Sequence, residues 1–80
     1  MIRLSAHAEH AITRRGLRRD WVEQTILAPD RVETDPGDPK VTRSFRAIAE
    51  AGARSLRVVH RPDGDDILVI TAFLDRRAQR

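Results

Sequence analysis

Residues Ser55 to Leu74 read SLRVVHRPDGDDILVITAFL. Two runs rich in Leu, Val and Ile flank Arg61-Pro62-Asp63-Gly64-Asp65. Proline presets φ for the first turn position, and Gly64 can take the left-handed conformation that closes a three-residue hairpin loop. The stretch is therefore predicted to be a β-hairpin. A type I turn closed by a bulge at Gly64 opposes Arg61 to Asp65. The register then sets Val59 against Ile67, Val58 against Leu68, Arg57 against Val69 and Leu56 against Ile70. Both faces of such a hairpin are largely apolar. Strands of that kind lie inside a sheet and need a covering layer, for which the N-terminal third of the chain is the available material.

In that third, Leu4, Ala8, Ala11 and Ile12 recur at helical spacing between Ser5, suited to an N-cap, and Gly16, suited to a left-handed C-cap. Residues 5–15 are predicted helical. Residues 19–27 carry Trp21, Val22, Ile26 and Leu27 in an apolar stripe, with Asp20 and Glu23 near the positive end of the helix dipole and Ala28-Pro29 as a stop. The short turn Gly16-Leu17-Arg18 makes the two helices a pair that covers one sheet face.

Strands follow over about 31–35, 41–50, 54–61 and 66–74. The first has the polar character of an edge. Asp35-Pro36-Gly37-Asp38-Pro39 reads as a flexible loop. Ala51-Gly52-Ala53 joins the second and third strands through a turn whose length the residues leave open, and a one-residue slip there would exchange the two faces. The tail from Asp75 to Arg80 is charged and reads as frayed. The expected architecture is one α+β domain over residues 1–80, with two N-terminal helices on one face of a four-stranded, mainly antiparallel sheet.

Eighty residues support one modest core, burying roughly 60% of the surface of the unfolded chain. Hydrophobic content of 40% with 34% charged residues argues for a globular chain over a disordered one. No cysteine is present, which excludes disulfides and thiolate metal sites and suits a reducing compartment. The opening residues lack the apolar run of a signal peptide, and no stretch approaches the ~20 apolar residues that span a bilayer. A cytoplasmic protein with no membrane segment is expected.

Fifteen basic residues stand against twelve acidic ones. Fourteen of the fifteen are arginine, the side chain whose planar fork matches phosphate and stacks on bases. A GC-rich genome that writes Arg for Lys explains that bias equally well. Residues 1–20 and 41–61 hold most of the charge, including Arg14, Arg15, Arg43 and Arg61, which are candidate nucleic-acid contacts.

An arginine in the middle of a central strand is costly unless its head reaches water, an anion or a carboxylate. Arg57 is the residue in that position. Either it clamps an anion, or it snorkels or pairs with a helix carboxylate such as Glu9 or Glu23. In the expected register it shares a face with Phe45, Val59, Val69 and Thr71, while Arg46 shares the other with Ile48, Leu56 and Val58. Thr71 either offers a hydroxyl beside Arg57 or is a plain strand former. Phe45 belongs to the core or, if exposed, stacks on a base, and Trp21 belongs to the core. His7 and His10 share a helix face as half of a metal site. No second half follows, so neither metal nor cofactor is expected. There is no phosphate-binding glycine loop, nucleophile elbow or carboxylate pair.

Taken in order, Ser5-x-His7-Ala8 to Arg15-Gly16-Leu17, Val22 to Leu27, Pro29-Asp30-x-Val32, Leu56-Arg57-Val58-Val59 and Val69-Ile70-Thr71-Ala72-Phe73 resemble the bacterial family known as domain of unknown function 4258. The resemblance spans nearly the whole chain. That family is similar to the RelE/ParE and BrnT-type toxins, which implies two helices on a curved antiparallel sheet. It also implies metal-free endoribonuclease chemistry, in which basic side chains hold the scissile phosphate while the ribose 2′-hydroxyl attacks, and an antitoxin protein as partner. By resemblance, His7, Arg15, Arg57 and Thr71 occupy motif positions. Ala11 and the absence of tyrosine depart from the family pattern, so proton transfer falls to histidine or arginine. The catalytic candidates are then His7, His10, Arg46, Arg57, His60 and Thr71, with RNA as substrate. A non-catalytic binding module of the same fold, and a ParE-like inhibitor acting through protein contacts, are the rival readings.

Overall fold

In the computed structural model, residues 1–75 are described, and the remainder of the charged tail, 76–80, lies outside the described residues. The elements run β1 (Ile2–Leu4), α1 (Ala6–Arg15), α2 (Arg19–Leu27), β2 (Arg31–Asp35), β3 (Asp38–Ile48), a 3-10 turn (Ala49–Ala51), β4 (Arg54–Asp63) and β5 (Asp66–Asp75). Both helices form where their caps and apolar spacing place them. The Ser5 side chain accepts from the Ala8 N–H at 3.0 Å, and Gly16 closes α1 at φ 64°. Thr25, fully buried on α2, satisfies its hydroxyl by donating to the Trp21 carbonyl at 2.8 Å.

The sheet has five strands in the order β1-β5-β4-β3-β2, with β1 parallel to β5 and every other pair antiparallel. The expectation of four strands is corrected by β1. Three residues are too few to show a period, and the partner of Ile2, Ile67, is remote in sequence. Ser5 joins strand to helix: its N–H donates to the Val69 carbonyl at 3.0 Å and its hydroxyl to the Ile70 carbonyl at 3.1 Å.

The decisive hairpin forms, but with another loop and register. Asp63 opposes Asp66, so the loop is the two residues Gly64-Asp65, with Gly64 at φ 62°. Glycine at the first of two loop positions suits a primed turn, whose twist matches the strands. Pro62 is thereby carried into β4, beyond the last β3 pair of Thr42 with His60, where its missing N–H leaves no rung to β3 unmade. A bulge between Val59 and His60 then takes Ile70 out of the ladder, so Val59 opposes Thr71, Val58 opposes Ala72, Arg57 opposes Phe73 and Leu56 opposes Leu74. Val69 moves to the helix-covered face, where it is fully buried, instead of lying beside Arg57.

The stretch read as a flexible loop is also ordered. Asp35 pairs with Asp38 across Pro36-Gly37, and the Asp35 carboxylate accepts the Gly37 N–H at 2.9 Å. Consequently β3 begins at Asp38, ahead of the expected 41, and ends at Ile48.

Ile48, Leu56, Val58, Val69 and Ala72 on one sheet face pack against Ala8, Ile12, Leu17, Trp21 and Val22 of the helical layer, with Ala51 beside them. Deleting Leu56 to alanine in such a core typically costs about 2–5 kcal/mol. Among the described residues no helix lies on the other face.

Candidate nucleic-acid interface

The uncovered face takes its organisation from register. Arg31 on β2 opposes Phe45 on β3, Phe45 opposes Arg57 on β4, and Arg57 opposes Phe73 on β5. Cross-strand partners point the same way, so cations and rings alternate in one row across four strands. The Arg31 guanidinium lies 4.2 Å from the Phe45 ring centroid, and Arg57 lies 5.4 Å from Phe45 and 5.3 Å from Phe73. Arg15, from the end of α1, completes the row at 5.9 Å from Phe73 and donates to the Ala72 carbonyl at 3.2 Å. Ring contact uses the face of a guanidinium and leaves N–H groups in its plane for anions.

Those edges already have anionic neighbours. Arg57 pairs with Asp75 at 3.4 Å, and Arg31 with Glu33 at 2.7 Å. Arg43, in the next row, grips Asp35 through two nitrogens at 3.2 and 3.0 Å, and lies 3.9 Å from Glu33. The Gly37 N–H foremost, and Arg43 with it, hold the Asp35 carboxyl below its usual range. The Nε of Arg57 is buried without an acceptor among the described residues. Arg57 is thus neutralised by a carboxylate, as one of its two sequence readings holds, but by Asp75 of the neighbouring strand and not by Glu9 or Glu23 of a helix.

The remaining candidates are divided among three surfaces. Thr71, opposite Val59, shares the open face with Arg57 and Arg43, and Arg61 lies farther along it, donating to the Pro62 carbonyl at 3.2 Å. Arg46 opposes Leu56 on the helix-covered face, and its head donates to the Ala28 carbonyl at 2.7 Å, so it cannot clamp a phosphate together with Arg57. His60 also points to that face, opposite Thr42 and Val69, with Nε2 2.8 Å from the Ser44 hydroxyl. Burial lowers its pKa. Ser44 is 2% exposed, so this pair joins β3 to β4 and presents no accessible nucleophile. His7, His10 and Arg14 are exposed on α1. Among the described residues, no group of three His, Cys, Asp or Glu side chains is placed to hold a metal, and no helix is long and apolar enough to cross a membrane.

Arg31, Phe73 and Asp75 were not among the sequence candidates. A two-residue loop at Gly64-Asp65 without a bulge would set Arg57 against Ala72, on the wrong face for Phe73. Only the extra residue at Ile70 brings the ring beside the guanidinium, and no residue type in that run announces a bulge. Arg31 depends on register in the same way, since a one-residue slip between the 31–35 strand and the Phe45 strand would set Val32 against the ring.

A family model described as a domain of unknown function, DUF4258, matches residues 4–74. No curated protein and no solved structure matches the chain.

Proposed function

This chain belongs to the DUF4258 family, and from that premise we propose that it is a toxin-like, RNA-binding protein of RelE/ParE/BrnT-like fold that engages RNA through the open sheet face. The order of two helices followed by an antiparallel meander supports the fold reading. The observation that carries the function is the alternating row of Arg31, Phe45, Arg57, Phe73 and Arg15. Arginines on alternate strands stand about 9–10 Å apart, with planar groups between them. Phosphates would take the in-plane N–H groups in exchange for the carboxylates. Bases would lie at the two ends of the row, on the exposed guanidinium groups of Arg31 and Arg15, each of which contacts one ring alone, a surface RNA-binding proteins use for unstacked bases.

The same geometry favours binding over cleavage. Transesterification needs a base at the 2′-oxygen and an acid at the leaving 5′-oxygen, yet His60 faces the helical layer and His7 and His10 sit on α1. An antitoxin protein is the partner this reading implies, and it would compete with RNA for the open face.

The test is fluorescence anisotropy with a single-stranded RNA at low salt, alongside incubation of total RNA with chelator. The expected result is binding that weakens about tenfold in Arg57→Ala or the more exposed Arg31→Ala, each with an unchanged circular dichroism spectrum, and no fragments. Fragments with 2′,3′-cyclic ends that vanish in Arg57→Ala would move the protein to the endoribonuclease class. Absence of binding at low salt would overturn the proposal.

A further inference from the structure

The two edges of the sheet are treated differently. On one side β1 pairs only with Ile67–Val69, which leaves the rest of β5 as an edge beside it. Side chains close that edge: Ser5 bonds the Ile70 carbonyl, Arg15 the Ala72 carbonyl and Arg19 the Ile2 carbonyl. On the other side the sheet ends at β2. Among the described residues no side chain bonds the backbone of Arg31–Asp35. An edge of that kind is a template for another strand. It also carries Val32, 54% exposed on the side facing the helical layer.

We propose that β2 pairs antiparallel with β2 of a second copy of this chain, around a two-fold axis at Val32. The choice of a second copy rests on charge. Antiparallel pairing that keeps both helical layers on one side must match residues of equal parity, and four such registers have their centre within Arg31–Thr34. A centre at Arg31 sets Arg31 against itself, a centre at Glu33 sets Glu33 against itself, and a centre at Thr34 sets Glu33 against Asp35. Only the centre at Val32 avoids like charges. It opposes Arg31 to Glu33 twice, lays Val32 against Val32 and places Thr34 opposite Asp30. The alternation of sign that discourages arbitrary strand addition thus selects one self-complementary register.

Because directly opposed residues of an antiparallel pair point to the same side, the two open faces join into one surface of a ten-stranded sheet. The rows that end at Arg31 in each protomer meet at the junction. The dimer itself depends only on the β2 edge and stands whether or not RNA binds.

Sedimentation velocity of the full chain across micromolar to millimolar concentration tests the pairing. A monomer–dimer equilibrium is expected. Arg31→Glu and Glu33→Arg should each weaken it by about tenfold or more, since like charges then meet twice. The double variant R31E/E33R, in which the charges are exchanged, should restore it to near the starting affinity, and circular dichroism should report an unchanged fold in all three. A monomer throughout the range overturns the proposal. So does a dimer indifferent to both single reversals, or one that both reversals break and the exchange fails to restore.

Discussion

Arg57 is held on a central strand by three partners of modest individual strength. Its two ring contacts, at 5.4 and 5.3 Å, are each worth about 0.5–2 kcal/mol depending on desolvation. The carboxylate of Asp75 supplies the counter-charge in a site where both side chains are largely covered. His60, three residues along the same strand and on the opposite face, makes the reverse accommodation by favouring its neutral form. Burial lowers its pKa from the usual 6.5. The unfolded chain therefore binds this proton at a higher pH than the folded one. As pH falls through 6.5 toward the lower folded value, unfolding takes up a proton and stability is lost; above that window the group contributes no pH dependence. His60→Gln keeps a hydrogen-bonding partner for Ser44 and removes the titration. Thermal melts of the two proteins should show a melting-temperature difference that is constant above about pH 7.5 and moves against the wild type toward pH 5.5. A difference that stays flat across that range would exclude His60 as the source.

The turn between β3 and β4 carries the one non-glycine residue with positive φ among the described residues. Gly52 at φ 71° is followed by Ala53 at φ 61°. A left-handed conformation costs an L-residue roughly 1–2 kcal/mol, of which the added freedom of glycine in the unfolded chain offsets about 0.4–1. Ala53→Gly should therefore stabilise the domain by about 0.5–1 kcal/mol, a rise of a few degrees in melting temperature for a chain of this size. A fall in melting temperature would mean that the methyl group of Ala53 contributes more by contact than its backbone loses. Neither this turn nor the bulge at Ile70 was legible in the sequence, because nothing local distinguishes Ala51-Gly52-Ala53 as a turn of one length over another. The helices were legible through Ser5, Gly16 and Ala28-Pro29, whose chemistry acts within one turn of chain. The hairpin was legible from its flanking runs, but its register was not. Pro62 and Gly64 satisfy two loop types, and the residues of the loop do not by themselves choose between them. β1 stayed invisible because three residues become a strand only when β5 is beside them.

For the whole molecule, the helical layer makes one face of the sheet a core and leaves the other to an array of arginines, rings and carboxylates. The sequence set Phe45 and Thr71 on one face with Arg57 and named Arg15 and Arg43 as candidate contacts without a face, but it could not order them, since the place of Phe73 beside Arg57 depends on the bulge. Order determines the electrostatics. Arg15, Arg31, Arg43 and Arg57 are interleaved with Glu33, Asp35 and Asp75, so the face is close to neutral at rest and an incoming phosphate must exchange with a carboxylate. This separates two effects on RNA affinity that a purely basic trough would merge. Each phosphate held on a single strand contributes about −0.7 to the slope of log K against log salt. With Arg15, Arg31 and Arg57 engaged, the slope should be about −2, and Arg31→Ala should reduce its magnitude by about 0.7. Asp75→Asn deletes the resident competitor of Arg57 without adding a cation. It should raise RNA affinity at every salt concentration while leaving the slope within about 0.7 of the wild-type value, the weight of one contact. Anisotropy titrations at several salt concentrations measure both quantities. Unchanged or weaker binding by Asp75→Asn, with its fold intact, would show that Arg57 is a structural ion pair that RNA never reaches, and the row would then lose its central contact.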